Sequence, residues 1–130
     1  MAVKLILDTH IFFWWLEGDR RLTKHCRELI QRNEDVLVSI VSIWELAIKV
    51  SQCKLRLNVA DFELQMEKNG FRLLPVTIQH AVEYSHLPLH HGDPFDRMLV
   101  AQSVTEGARL LTHDSNLSAY GAFVFGCLTQ

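Results

Sequence analysis

The chain has 130 residues, 48% of them hydrophobic and 22% charged, with a formal net charge of −2. That balance excludes a disordered or low-complexity chain and suits one globular domain across residues 1–130. It also excludes a surface covered in cations, but not a local basic patch able to meet nucleic acid.

Cys26, Cys53 and Cys127 form no C-x-x-C pair. The set argues against a zinc ribbon or a disulfide framework and fits a reducing cytoplasm. The apolar start, MAVKLILDTHIFFWWLEGD, is broken by Asp8, Thr9 and His10, and no small-residue cleavage site comes after it. It does not read as a signal peptide, and no other run has the length of a membrane span. The expectation is a soluble, cytoplasmic protein with no membrane partner.

Residues 3–7 are short and apolar and close on Asp8, which predicts a buried strand. Ile11 to Leu16 form a helical turn or two before Gly18. Leu22, Cys26, Leu29 and Ile30 recur at helical spacing along a second helix. Residues 36–38 predict a second strand, and Ser39 or Ser42 caps the helix carrying Ile43, Trp44, Leu46, Ala47 and Val50. A loop over 52–58 carries Lys54 and Arg56. A helix over 61–69 stops at Gly70, a third strand covers 71–76, and a helix covers 77–85.

Asp93 then caps, and Pro94 starts, a helix that runs to Glu106 and ends at Gly107. A fourth strand covers 108–111, Asp114 opens a short helix, and 122–125 predicts a fifth strand. Strands alternating with helices imply an α/β sandwich around a mainly parallel sheet. Right-handed crossovers place the strand C-terminal ends on one edge, where such folds bind ligands.

Four acids fall near that edge. Asp8 comes directly after the first strand and Glu45 lies a turn into the helix after the second. Asp96 sits in the first turn of the helix before the fourth strand, and Asp114 just after that strand. Asp96 reaches the edge only if the segment between Thr77 and Gly92 returns the chain there. Each acid also has a structural role open to it. Asp96 favours the helix dipole, Asp114 caps a helix, and Glu45 pairs with Lys49 at i+4. Clustered carboxylates repel unless a cation neutralises them. An all-oxygen site suits Mg²⁺ or Mn²⁺, and such ions activate water against a phosphodiester.

LILDTHIFFWWLEGD, VSIWELAIKVSQCKL, LPLHHGDPFDRMLVAQ and LLTHDSNLSAYG, in that order, resemble the PIN-domain ribonucleases, and within them the VapC-type toxins of toxin–antitoxin pairs. The resemblance implies a three-layer α/β/α sandwich and a metal-dependent endoribonuclease. It implies that Asp8, Glu45, Asp96 and Asp114 hold one or two Mg²⁺ or Mn²⁺ ions that activate water against RNA. It also implies a homodimer and an antitoxin whose tail occupies the acidic groove. Asp93 is assigned to the helix cap and the outer shell. Thr9 and Thr112 either steady the carboxylates or serve as turn and strand-end hydroxyls.

Arg97 is the first choice for phosphate contact, ahead of Lys49, Lys54 and Arg56; each is otherwise a surface charge. Phe12, Phe13, Trp14, Trp15 and Trp44 form core or dimer interface in one view and stack bases in another. His10 and His113 lie beside candidate ligand acids and either touch substrate or sit at the surface. The alternative function is a non-catalytic or signalling, receiver-like Mg²⁺-binding module. A receiver needs an Asp closing a central strand and a Lys closing a later one, and FRLLPVT and LLTHD supply neither.

Overall fold

The computed structural model describes residues 4–90, 92–121 and 124–126. Five parallel strands form one sheet in the order β3-β2-β1-β4-β5. They are β1 (Lys4–Leu7), β2 (Asp35–Ser39), β3 (Phe71–Leu74), β4 (Arg109–Thr112) and β5 (Val124–Gly126).

Alternation along the inner strands builds two apolar layers. Leu5, Leu7, Val36, Val38 and Leu111 face one side, and Ile6, Leu37 and Leu110 face the other. The first face is covered by α1 (Thr9–Glu17), α2 (Lys24–Arg32) and α4 (Phe62–Asn69), through Ile11, Phe12, Cys26, Ile30 and Met66. The second is covered by α6 (Pro94–Glu106), through Leu99 and Val100, and by Leu117 of a 3₁₀ turn at Ser115–Tyr120. Helix α3 (Ile40–Ser51) joins both, with Leu46 in the first layer and Val41 in the second. This is the expected three-layer α/β/α sandwich. Burying each of these aliphatic side chains contributes roughly 1.5–3 kcal/mol, so β1 and β4 form a stiff base for the polar residues at their C-terminal ends.

The route from β3 to β4 settles how Asp96 reaches the strand C-terminal edge. Helix α5 (Ile78–His86) is antiparallel to α6. At its start, Thr77 caps it and His80 Nε2 lies 2.8 Å from Glu106 near the end of α6. At its end, Tyr84 and Pro88 meet Arg97 in the first turn of α6. The chain therefore returns to the edge before Asp93 caps α6 and Gly107 stops it in the left-handed region.

Several expectations are adjusted. β3 ends at Leu74 because Pro75 brings no N–H to the ladder. Ser39, not Ser42, caps α3, with its Oγ accepting from Val41 N–H at 3.0 Å. α2 begins at Lys24, since Thr23 accepts from Cys26 N–H and defines the start. The fifth strand runs Val124–Gly126; residues 122–123 of the expected strand lie outside the described residues. Cys53 is exposed and free. The buried Cys26 is disulfide-bonded, which corrects the expectation of no disulfide at that residue. Among the described residues, no helix is long and apolar enough to cross a membrane.

Candidate active site

From β1 the chain builds outward through β2 to β3, then crosses to place β4 and β5 on the other side of β1. The crevice beyond the C-terminal ends of β1 and β4 is therefore the topological switch point, where open parallel sheets bind ligands. Asp8 is the first residue after β1 and Thr112 the last of β4, joined by the Asp8 N–H donating to the Leu111 carbonyl at 3.0 Å.

Asp8 is 3% exposed, and a carboxylate so placed must be satisfied by donors. Its Oδ1 caps α1 by accepting from Ile11 N–H at 2.8 Å. Its Oδ2 accepts the Thr112 hydroxyl and lies 3.6 Å from His113 Nδ1. The Thr112 hydroxyl oxygen in turn accepts from the Asp114 N–H at 3.0 Å. One threonine thus links the two acids that succeed the central strands.

Glu45 enters from α3. Thr9 donates its hydroxyl to Glu45 Oε1 at 2.6 Å and lies 3.0 Å from the buried Ser42 hydroxyl. Burial pushes the Glu45 carboxyl above its ordinary value. The Thr9 hydrogen bond and the Lys49 charge oppose that push, while the Asp93 and Asp8 charges add to it. Trp44, just before Glu45, packs edge-on against Phe95, just before Asp96, with ring centroids 5.1 Å apart. That contact packs α3 against α6.

Asp93 caps α6 as expected, accepting from the N–H groups of Phe95 at 2.8 Å and Asp96 at 3.4 Å. Asp114 caps the 3₁₀ turn through Asn116 N–H at 2.9 Å. His113 senses three of the acids. The Asp8 contact, together with the Asp8, Asp114 and Asp96 charges, raises its pKa against the opposing effect of burial. The structure therefore gathers Asp8, Glu45, Asp93, Asp96 and Asp114 on one edge, with Thr9 and Thr112 bonded to two of them.

Arg97, next to Asp96 in the first turn of α6, is held by the neighbouring segments. Its Nη1 donates to Pro88 O at 3.0 Å and to the Tyr120 hydroxyl at 3.1 Å, and its guanidinium lies 4.8 Å from the Tyr84 ring centroid. It ties α5, the 87–90 loop and the 3₁₀ turn together. Two neighbours of the edge escaped sequence reasoning. Ser42 was weighed only as a cap, and Arg21 carried no motif, though it lies over Trp14 at 5.0 Å.

Among the described residues, no three His, Cys, Asp or Glu side chains converge closely enough to cage a metal ion. Mg²⁺ rarely uses such a cage; it keeps several waters and takes one or two carboxylates. An edge of carboxylate and hydroxyl oxygens, with no thiol beside it among the described residues, fits that habit in its chemistry.

The PIN domain family pattern matches residues 5–122, so the chain belongs to the PIN domain family. It is 29% identical over 118 residues to Ribonuclease VapC22 of Mycobacterium tuberculosis (strain ATCC 25618 / H37Rv), covering 89% of this chain and 91% of that protein. Its fold is similar to VapBC2 from Rickettsia felis bound to a promoter DNA fragment (TM-score 0.72, 16% identity, 94% of this chain and 97% of that one). It is also similar to a toxin-antitoxin complex from Klebsiella pneumoniae (TM-score 0.69, 16% identity, 95% and 98%).

Proposed function

We propose that this protein is a metal-dependent endoribonuclease and the toxin of a type II toxin–antitoxin pair, hydrolysing RNA phosphodiester bonds with water in the cytoplasm. The observation that carries the proposal is the gathering of Asp8, Glu45, Asp96 and Asp114 around the ends of β1 and β4 in a PIN-domain chain. The relative named a ribonuclease supports the reaction class.

Asp8, Glu45, Asp96 and Asp114 would supply the oxygen donors for Mg²⁺ or Mn²⁺, one or two carboxylates directly and the others through its waters. Such an ion lowers the pKa of bound water and offsets charge on the phosphate. The chain's own contribution is positioning. Thr112 and Ile11 N–H fix both oxygens of Asp8, and Thr9 aims Glu45. A carboxyl raised by burial, as Glu45 is, suits the role of proton acceptor from the attacking water.

The partner is an antitoxin, whose tail would lie in the acidic crevice with an arginine against the carboxylates. A homodimer completes the reading. The face we assign to it is the apolar groove of about 580 Å³ between α3, α5 and α6, lined by Ile40, Trp44, Val76, Tyr84, Phe95 and Met98. Ile78 and Val82 stand exposed on α5 beside it, so projecting aliphatics and a slot lie close together, as a two-fold contact needs.

The test is cleavage of a single-stranded RNA by purified protein with Mn²⁺ or Mg²⁺. Asp8→Asn and Asp96→Asn should abolish cleavage while circular dichroism stays that of the parent. Parent-like cleavage by both variants overturns the proposal.

A further inference from the structure

Beside the acidic crevice, on the far side of Thr9, lies a hollow of about 190 Å³. Thr9, His10, Trp14, Arg21, Lys49 and Leu55 line it. It is smaller than the roughly 300–1,000 Å³ pockets that enclose whole small ligands, so it suits one unit of a polymer that continues beyond it. It also opposes the crevice in charge. Lys49 stands one helical turn beyond Glu45 and makes no side-chain hydrogen bond or ion pair among the described residues. Arg21 comes from the segment after α1 and is braced by Asp19 at 2.7 Å. Lys54 and Arg56, both exposed, flank Leu55 on the third wall. A chain with net charge −2 thus sets two cations, Arg21 and Lys49, in the wall of the hollow, with Lys54 and Arg56 on either side of Leu55 in sequence.

The aromatic side is graded. Trp14 is 7% exposed and lies under the Arg21 guanidinium, so little of it is open to a base. The His10 ring is only half-buried and packs edge-on to His113, with centroids 4.6 Å apart, which places it between the hollow and Asp8. A cation for a phosphate and a ring for a base, two residues from Asp8 and one helical turn from Glu45, make up the recognition chemistry of a single-stranded nucleotide.

We propose that this hollow is the subsite for the RNA nucleotide next to the scissile phosphate, with Lys49 contacting that nucleotide's phosphate and His10 stacking on its base. The inference rests on the ribonuclease reading and names the part of the substrate that the acids do not touch.

The test is steady-state cleavage of a short single-stranded RNA at several salt concentrations, with Lys49→Gln, Lys49→Arg and, on the distant surface of α4, Lys68→Gln. K49Q should raise KM roughly tenfold, as expected for one charge-assisted contact, with kcat within twofold. Its salt dependence should weaken by about 0.7 in log–log slope, the value of one phosphate on a single strand. K49R should retain most of the affinity, and K68Q should match the parent. A lysine acting only through Glu45 would move kcat and the metal requirement instead of KM, and that result overturns the subsite. So does a K49Q that cuts RNA with the parent's KM and salt slope.

Fluorescence anisotropy of the same RNA in EDTA separates the two claims. If the parent cuts nothing, the nuclease reading fails. Weaker RNA binding by K49Q would still support the subsite, and equal binding would overturn it. A loss of affinity for poly-glutamate but not for RNA would assign the hollow to a protein partner and overturn the proposal.

Discussion

Thr112 donates its hydroxyl to the Asp8 carboxylate across 104 positions of sequence, at the point where the two central strands end side by side. The same oxygen accepts the Asp114 N–H, so the orientation of two acids depends on one side chain. Thr112→Val keeps the shape and removes both bonds. It should lower stability in urea by about 1–3 kcal/mol, the cost of stranding buried polar groups, and should reduce kcat. Thr112→Ser, which keeps the hydroxyl, should recover most of both. Equal losses for valine and serine would mean that the methyl group matters, not the bond.

His113 reports the charge of the crevice. With its pKa raised above the ordinary 6.5 by the Asp8 contact and by Asp114 and Asp96, its ring proton should titrate above 6.5 in EDTA by NMR. Asp8→Asn should bring the midpoint down. A raised histidine contributes its full stabilisation below 6.5, and that contribution is lost as pH rises through the elevated folded-state value. The stability gap between the parent and His113→Gln should therefore shrink with rising pH. A gap that widens would contradict the assignment.

Arg97 separates scaffold from substrate contact. Its bonds to Pro88 and Tyr120 hold the segment that leads into the Asp93 cap. Arg97→Gln should cost about 1–3 kcal/mol of stability and leave the salt dependence of RNA cleavage as in the parent. A flatter salt dependence, as foreseen for Lys49, would make Arg97 a phosphate contact.

The contrast between Arg97 and Asp96 shows what a sequence can and cannot carry. Strand positions were legible because apolar runs such as 36–38 close on polar or turn residues, and the Asp93-Pro94 start of α6 has its own chemistry. Asp8, Asp96 and Asp114 were legible as edge residues because each lies beside an element boundary, whereas Glu45 lies inside α3. The fate of Arg97 was not, since its partners at 84, 88 and 120 belong to three other segments and meet only after α5 folds back along α6. Ser39 and Ser42 were equal candidates for the cap of α3. Only packing decides that Ser42 turns inward to Thr9. The hollow at Lys49 joins α1, the 18–22 segment and the 52–58 loop, and no single stretch of sequence announces it.

The central claim is that the acids at the β1 and β4 ends act together on one divalent cation, and calorimetric titration of the protein with Mn²⁺ tests it most directly. Binding should release protons near the raised pKa of Glu45. Asp8→Asn and Asp96→Asn should each weaken binding at least tenfold, although 88 positions of sequence separate the two residues. Unchanged Mn²⁺ affinity in both variants would contradict the account.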